Sequence, residues 1–308
     1  MMRTLVCFAA AGLLSVFAFS ARAETVAYGE AFDTLYRIDL DTRVATRIGK
    51  AGTVANAQIA NISGLTTLSD GSQYAVSGSQ KVLIKVDPQT GGTTVIGSLE
   101  LAGQGGGQFD QLDLGLTVDC DGVLWMVSGV LQKIWTVDPR TAALTLVGTM
   151  GHAISGVVAR AGALYGTGSK TDHTFYRIDK TTGAATALGD FGDAAPAYLN
   201  SVSMSFADDG TLYAVFNYVP PASGEVTPDW SDLVTLDPAT GKATALGAIT
   251  GPEALRQLGM KGFTVGPTVC GTGAQNAYAA PVDAPWALAL LGTLLAFAGF
   301  SAARTRLR

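Results

Sequence analysis

Histidine is nearly missing from this chain. Only His152 and His173 occur in 308 residues, with three cysteines and 15% charged residues. A metal centre draws on His, Cys and carboxylate ligands at regular spacing. The two histidines have no such partners beside them, so no metal ligand is expected. Calcium needs a full oxygen-rich loop. Asp119-Cys120-Asp121-Gly122 and Asp208-Asp209-Gly210 are too short for one and read as tight turns. The glycine-rich run at 103–107 does not stand between a strand and a helix, so it is no phosphate cradle. No cofactor is implied. Basic charge is also short. Net charge is -5, and setting aside Arg3, Arg22, Asp283, Arg304, Arg306 and Arg308 leaves 15 basic and 24 acidic residues, or -9. Such a chain offers no surface for nucleic acid.

Glycine is plentiful, at 38 residues, and much of it recurs at fixed spacing. Residues 233–247 read LVTLDPATGKATALG. From Asp237, threonines follow at +3 and +7 and glycine at +10 (Thr240, Thr244, Gly247). The same spacing starts at Asp39, Asp87, Asp138 and Asp179. Five copies make a repeat protein. Before each Asp, apolar residues alternate, as in Tyr36/Ile38, Trp135/Val137 and Val234/Leu236, which marks a half-buried strand. Asp then caps a turn through backbone N–H groups, Pro88, Pro139 and Pro238 pre-set φ, and Gly91, Gly183 and Gly241 suit a left-handed residue. Arg43 and Ala142 replace that glycine, so their turns are expected to differ slightly.

Each hairpin is preceded by two further short strands joined by a sharp turn. Examples are Leu114-Gly115-Leu116-Thr117 with Leu124-Trp125-Met126-Val127, and Ser201-Val202-Ser203-Met204 with Leu212-Tyr213-Ala214-Val215. Four strands per ~40–50-residue repeat is the pattern of a propeller blade. The first copy starts at its second strand, Val26-Ala27-Tyr28-Gly29, and the missing strand occurs at the far end as Gly262-Phe263-Thr264-Val265. The expectation is all-β: a five-bladed β-propeller closed by a C-terminal strand that completes the N-terminal blade. The domain spans 24–272, with blades near 24–50 plus 259–268, 62–99, 112–151, 154–192 and 200–250.

Residues 1–23 read as a secretory signal peptide: Arg3, an apolar stretch containing Cys7, and Ala21-Arg22-Ala23 at the cleavage point. Cys120 and Cys270 then remain. Each follows an innermost strand on one face of the ring, in non-adjacent blades, so a disulfide and two separate thiols both stay open. After a linker at 273–285 comes an apolar segment, 286–303, closed by Arg304, Arg306 and Arg308. Eighteen apolar residues can just cross a bilayer, with the arginines cytoplasmic. This tail, 286–308, resembles the C-terminal sorting signals of bacterial exosortase-type systems, the PEP-CTERM group. Its Trp-Ala-Leu-Ala-Leu-Leu start at 286–291 is most similar to the IPTL-CTERM variant. Pro281-Val282-Asp283-Ala284-Pro285-Trp286 stands where that variant has Ile-Pro-Thr-Leu-Ser-x-Trp. The resemblance covers the last ~28 residues. It implies an exported protein of the cell envelope, surface or medium, at least transiently held in the inner membrane and handled by sorting machinery. A permanent single-span anchor gives the same topology.

Loop length points to one face. Turns between strands one and two and between three and four hardly vary. The opposite connections do, notably 99–113 and an insertion at 216–232. Function sits on variable loops of rigid scaffolds, which makes Phe109, Tyr198, Tyr218 and Trp230 the candidate binding residues. No catalytic residue is assigned. A glycosidase needs carboxylates projecting from inner strands. Here those strands are small and apolar, with only Asp113 near the start of one. The expected function is non-catalytic binding of a protein or polysaccharide of the envelope or matrix through the variable face. The alternative is a secreted hydrolase or lyase with its site at the channel mouth.

Overall fold

A computed structural model describes residues 26–218, 230–251, 259–268 and 270. The expected leader, the linker, the apolar tail and residues 219–229 of the insertion lie outside them. Among the described residues no helix is long and apolar enough to cross a membrane.

Five antiparallel four-stranded sheets form the molecule. The first contains β1 (Val26–Ala31), β2 (Thr34–Asp39) and β3 (Ala45–Lys50). A two-stranded hairpin, β4 (Thr53–Val54) with β5 (Ala57–Gln58), follows it. The second blade runs β6 (Ile62–Thr67), β7 (Gln73–Ser77), β8 (Val82–Val86), β9 (Thr93–Ser98). The third has β10 (Leu114–Val118), β11 (Leu124–Ser128), β12 (Lys133–Val137), β13 (Leu144–Thr149). The fourth is β14 (Ile154–Arg160), β15 (Ala163–Gly168), β16 (Thr174–Ile178), β17 (Ala185–Asp190). The fifth is β18 (Leu199–Phe206), β19 (Leu212–Tyr218), β20 (Trp230–Leu236), β21 (Ala243–Ala248), and β22 (Met260–Thr264) ends the series. β22 pairs antiparallel with β1, setting Phe263 opposite Gly29 and Thr264 opposite Tyr28.

The cores show that the ring is closed. Each of five buried apolar clusters fills a seam between neighbouring blades, and the fifth joins Val215 and Leu233 to Tyr36, Ile38, Met260 and Phe263. The protein is therefore a closed five-bladed β-propeller.

The repeat spacing has two physical causes. Asp is a local cap: the Asp87 carboxylate accepts from the Gln89 amide and the Thr90 hydroxyl, both at 2.8 Å, and the Asp179 carboxylate accepts from the Thr181 and Thr182 amides at 2.8 Å. These amides hold the Asp87, Asp138, Asp179 and Asp237 carboxyls below their ordinary range. The glycine at +10 answers to the next blade. A β-carbon on Gly49, Gly97, Gly148 or Gly189 would overlap the carbonyl oxygen of Thr90, Thr141, Thr182 or Thr240, the +3 threonine one blade further on. Gly247 differs: it takes a φ of 121°, and a β-carbon there would meet the Arg43 side chain of the first blade at 3.3 Å rather than a threonine carbonyl. Gly148→Ala should therefore lower stability by ~1–3 kcal/mol in denaturant unfolding, the usual cost of overpacking. Gly266→Ala, with nothing within 4 Å of the added carbon, should be silent.

The turns at Arg43 and Ala142 do not differ from the others. Arg43 (φ 61°) and Ala142 (φ 64°) adopt the left-handed conformation of Gly91 (φ 70°). Their amides donate to the carbonyls of Asp39 at 2.7 Å and Asp138 at 2.9 Å, as the Gly91 amide does to Asp87 at 2.8 Å. The hydrogen bond fixes the conformation, and the side chain accepts the local strain.

Beyond β22 the chain straps across the far end of the channel. The Val265 amide donates to Ser205 Oγ of the fifth blade at 3.0 Å, Pro267 bridges Thr67 of the second, and Thr268 Oγ1 donates to the Val118 carbonyl of the third at 2.7 Å. Cys120 and Cys270 are joined by a disulfide, with Cα atoms 5.2 Å apart. The strap is what brings two non-adjacent blades together. This bond closes a loop of 150 residues, so reducing it, or the double change Cys120→Ser with Cys270→Ser, should cost ~2–5 kcal/mol and lower Tm by roughly 5–15 °C.

Candidate binding face

The channel is lined by the inner strands β6, β10, β14, β18 and β22, whose small side chains knit neighbouring blades together. Ser203 Oγ donates to the Lys261 carbonyl at 2.5 Å, the Val118 amide donates to Thr66 Oγ1 at 3.3 Å, and the Thr67 and Thr264 hydroxyls lie 3.1 Å apart. At the strap end a water-sized cavity of about 10 Å³ lies under Gly266 and Thr268. A middle one, equally small, is lined by Leu65, Leu116, Val157, Met204 and Phe263. The mouth on the variable-loop face is polar and narrow, with room for about one water; Asn61, Ser63, Asp113, Ser155, Ser201 and Lys261 line it. The Ser155 and Ser201 hydroxyls are buried and have no hydrogen-bond partner. Asn217, opposite Ser201 on β19, buries both amide atoms unpaired.

Asp113 stands at this mouth, its carboxylate 3.8 Å from the Lys170 ammonium. It is the one carboxylate lining the mouth among the described residues.

Around the mouth the loops present aromatics. Phe109 is 71% exposed and Tyr198 42%. Phe109 tips a loop tied down from beneath: Lys81, 5% exposed, donates to the carbonyls of Gly78 at 2.5 Å and Asp110 at 2.7 Å. The Asp110 carboxylate accepts from the Gly103 amide at 2.9 Å and the Gly105 amide at 2.5 Å, which holds its carboxyl below the usual range. The glycines at 103 and 105 thus let the backbone fold onto a carboxylate. Tyr218 and Trp230 are brought together as a cross-strand pair at the root of the insertion, ring centroids 6.3 Å apart, with the Tyr218 phenol donating to Asp232 at 2.9 Å. Both are half-buried.

Phe32 escaped the loop-length argument. It occupies the two-residue connection between β1 and β2 on the same face, 60% exposed with φ 58°. A bulky apolar residue where such a turn favours Asn or Gly was the available signal. The histidines do not converge. His152 Nδ1 lies 3.1 Å from the Tyr176 phenol, which donates to Asp172 at 2.8 Å, whereas the His173 ring stacks 6.4 Å from Phe191. Among the described residues no group of three or more His, Cys, Asp or Glu could hold a metal ion.

No family model matches the chain, and no curated protein matches it. Several solved structures align with part of it. A chain of a nidogen/laminin complex is 13% identical, with 78% of this chain and 97% of that one covered and a TM-score of 0.48. Virginiamycin B lyase from Staphylococcus aureus is 14% identical over 79% of this chain and 69% of that one, TM-score 0.41. A protein of unknown function from Bacteroides thetaiotaomicron VPI-5482 is 17% identical over 62% of this chain, TM-score 0.46, and this chain spans 53% of its length. None of these likenesses assigns a ligand or an activity.

Proposed function

We propose that this chain is an exported, non-catalytic binding propeller that takes a polysaccharide of the cell envelope or matrix on its variable-loop face. The observation behind this reading is the pairing of exposed aromatics, Phe32, Phe109 and Tyr198, with a hydroxyl-rich mouth on one face. Aromatic faces stack on sugar C–H surfaces, while hydroxyls, amides and carboxylates match the sugar's own donors and acceptors. The opposite face carries the strap and the capped turns. β1 begins there and Cys270 lies there, so a leader before residue 26 and a sorting tail after residue 270 would both leave from the side away from the binding face. A tail read by exosortase-type sorting machinery would hold the strap side toward the membrane and turn the mouth outward.

Hydrolysis is the weaker reading. Glycoside cleavage takes two carboxylates flanking the bond, and Asp113 stands without a second at the mouth among the described residues.

A glycan array probed with the exported protein should show binding to at least one polysaccharide. Phe109→Ala combined with Tyr198→Ala should weaken that binding at least tenfold, about 1.4 kcal/mol, with Tm unchanged. Capture of a protein partner with a silent array would move the face to protein recognition. Equal binding by the double variant would take these two residues out of the site.

A further inference from the structure

We infer that Lys261, at the mouth of the channel, anchors one carboxylate oxygen of an acidic glycan, so that the ligand is a uronic acid in chemical class. This deepens the polysaccharide reading above, on which it rests, by naming the charge of the ligand and the group that receives it.

Lys261 reaches the mouth because β22 is bulged there. Glu30 pairs with Gly262 and Ala31 with Met260, so Lys261 stands between them with no partner residue on β1. A bulge re-aims its extra side chain, and bulges are frequent beside functional sites. The fourth blade has the same irregularity: Ile154 pairs with Gly168, Gly156 pairs with Thr167, and Ser155 is the extra residue. Both extra residues line the mouth. One blade thus places a short hydroxyl at this position, and the closing strand places an ammonium.

That ammonium has no counter-charge. Three other lysines of this face are each held by a carboxylate: Lys50 by Asp33 at 3.1 Å, Lys81 by Asp110 at 3.3 Å and Lys170 by Asp113 at 3.8 Å. Among the described residues no carboxylate pairs with Lys261. Glu30, opposite the neighbouring Gly262, has no partner for either carboxyl oxygen, and Asp113 is already engaged by Lys170. Asp113 and Lys261 are the charged residues lining the mouth among those described. With Lys170 counted, two ammonium groups face one carboxylate there, and one positive charge is left over. Lys261 is also half-buried, and drawing a charge out of water without a partner is costly. A bound anion removes that cost.

Size limits what enters. The mouth has room for about one water, so an oxygen atom fits and a sugar ring does not. A carboxylate is planar, brings a single charge and can enter oxygen first. The ring that carries it stays outside, on the face where Phe32, Phe109 and Tyr198 are exposed. A dense polyanion is disfavoured, because 15 basic and 24 acidic residues leave the chain without its ends at -9. An isolated or terminal uronate supplies the one negative charge that the mouth lacks.

The test uses the exported full-length protein and ligand-observed saturation-transfer NMR. The probes are disaccharides ending in glucuronate, galacturonate or mannuronate, each beside its methyl ester. At least one uronate should bind, and its ester should bind at least about tenfold more weakly, the scale of one charge-assisted hydrogen bond. Lys261→Gln should lose as much, and Lys261→Arg should keep most of the binding. Asp113→Asn, which leaves two ammonium groups at the mouth and no carboxylate, should tighten it. If Lys261→Gln does not fold, the ester comparison and Asp113→Asn give the same reading. Equal binding of acid and ester, or of wild type and Lys261→Gln, overturns the carboxylate anchor. A neutral polysaccharide retained on the array, with no uronate bound in solution, overturns the anchor and leaves the face reading standing. An array silent to every glycan, with no uronate bound, removes both.

Discussion

A chain ending at residue 258 should lose the single cooperative melting transition of the protein and elute as aggregate, whereas a chain ending at 275 should keep it. β22 is the inner strand of the first blade, supplied from the other end of the sequence. Cutting it away removes the partner of β1 at Tyr28 through Ala31, leaving a long unpaired edge in the middle of a disc. It also removes Met260 and Phe263, each 1% exposed in the seam between the fifth and first blades. Burial of two such side chains contributes ~1.5–3 kcal/mol each. The strap and its disulfide, another ~2–5 kcal/mol, leave with them. Together these approach the whole stability of an ordinary domain, about 5–15 kcal/mol. Differential scanning calorimetry on both truncations decides it. A transition for the 258 chain within a few degrees of the longer one would mean that four blades hold together without closure.

The features legible in the sequence are those with local causes. An Asp cap and a left-handed turn residue act within five positions, so five turns could be counted from spacing alone, and the blade number and the closing strand followed. The +10 glycine was visible as a pattern, but its cause lies one blade away, where the backbone of Thr90, Thr141, Thr182 or Thr240 leaves no room for a β-carbon. Long-range placement was not legible. Whether Cys120 meets Cys270 depends on the route of the strap across the channel, which no periodicity encodes. The Lys81 tie to the Asp110 loop and the orphaned hydroxyls of Ser155 and Ser201 depend on how blades converge. Of the four aromatics chosen by loop length, Phe109 and Tyr198 are exposed at the rim, whereas Tyr218 and Trp230 face each other at the insertion's root. Sequence alone does not separate an aromatic that projects from one that finds a cross-strand partner.

Glu30→Val should stabilise the protein, and by more as pH rises. Glu30 lies opposite Gly262 in the first blade, at the place Val127 takes opposite Gly115 in the third and Thr167 takes opposite Gly156 in the fourth. It is 1% exposed and neither carboxyl oxygen has a partner. Burial first, and the nearby Asp33 charge second, push its pKa up to about 8 from 4.5. Asp33 is itself paired with Lys50 at 3.1 Å, so that cation is already engaged. Because the folded state holds this proton more tightly than the unfolded chain does, stability is greatest below pH ~4.5, falls as pH rises toward ~8 and is flat above. At ~1.4 kcal/mol per pH unit, the full loss reaches roughly 5 kcal/mol above pH ~8. The turn carboxylates act in the opposite sense. Asp87, Asp138, Asp179 and Asp237 have lowered pKa values, and their contribution disappears as pH falls through the carboxylate range. The wild-type profile should thus decline on both sides of a maximum in the mildly acidic range. Glu30→Val should keep the acid limb and lose the alkaline one, as read by urea midpoints from pH 4 to 9. Parallel wild-type and variant curves across that interval would mean that Glu30 is ionised in the folded protein.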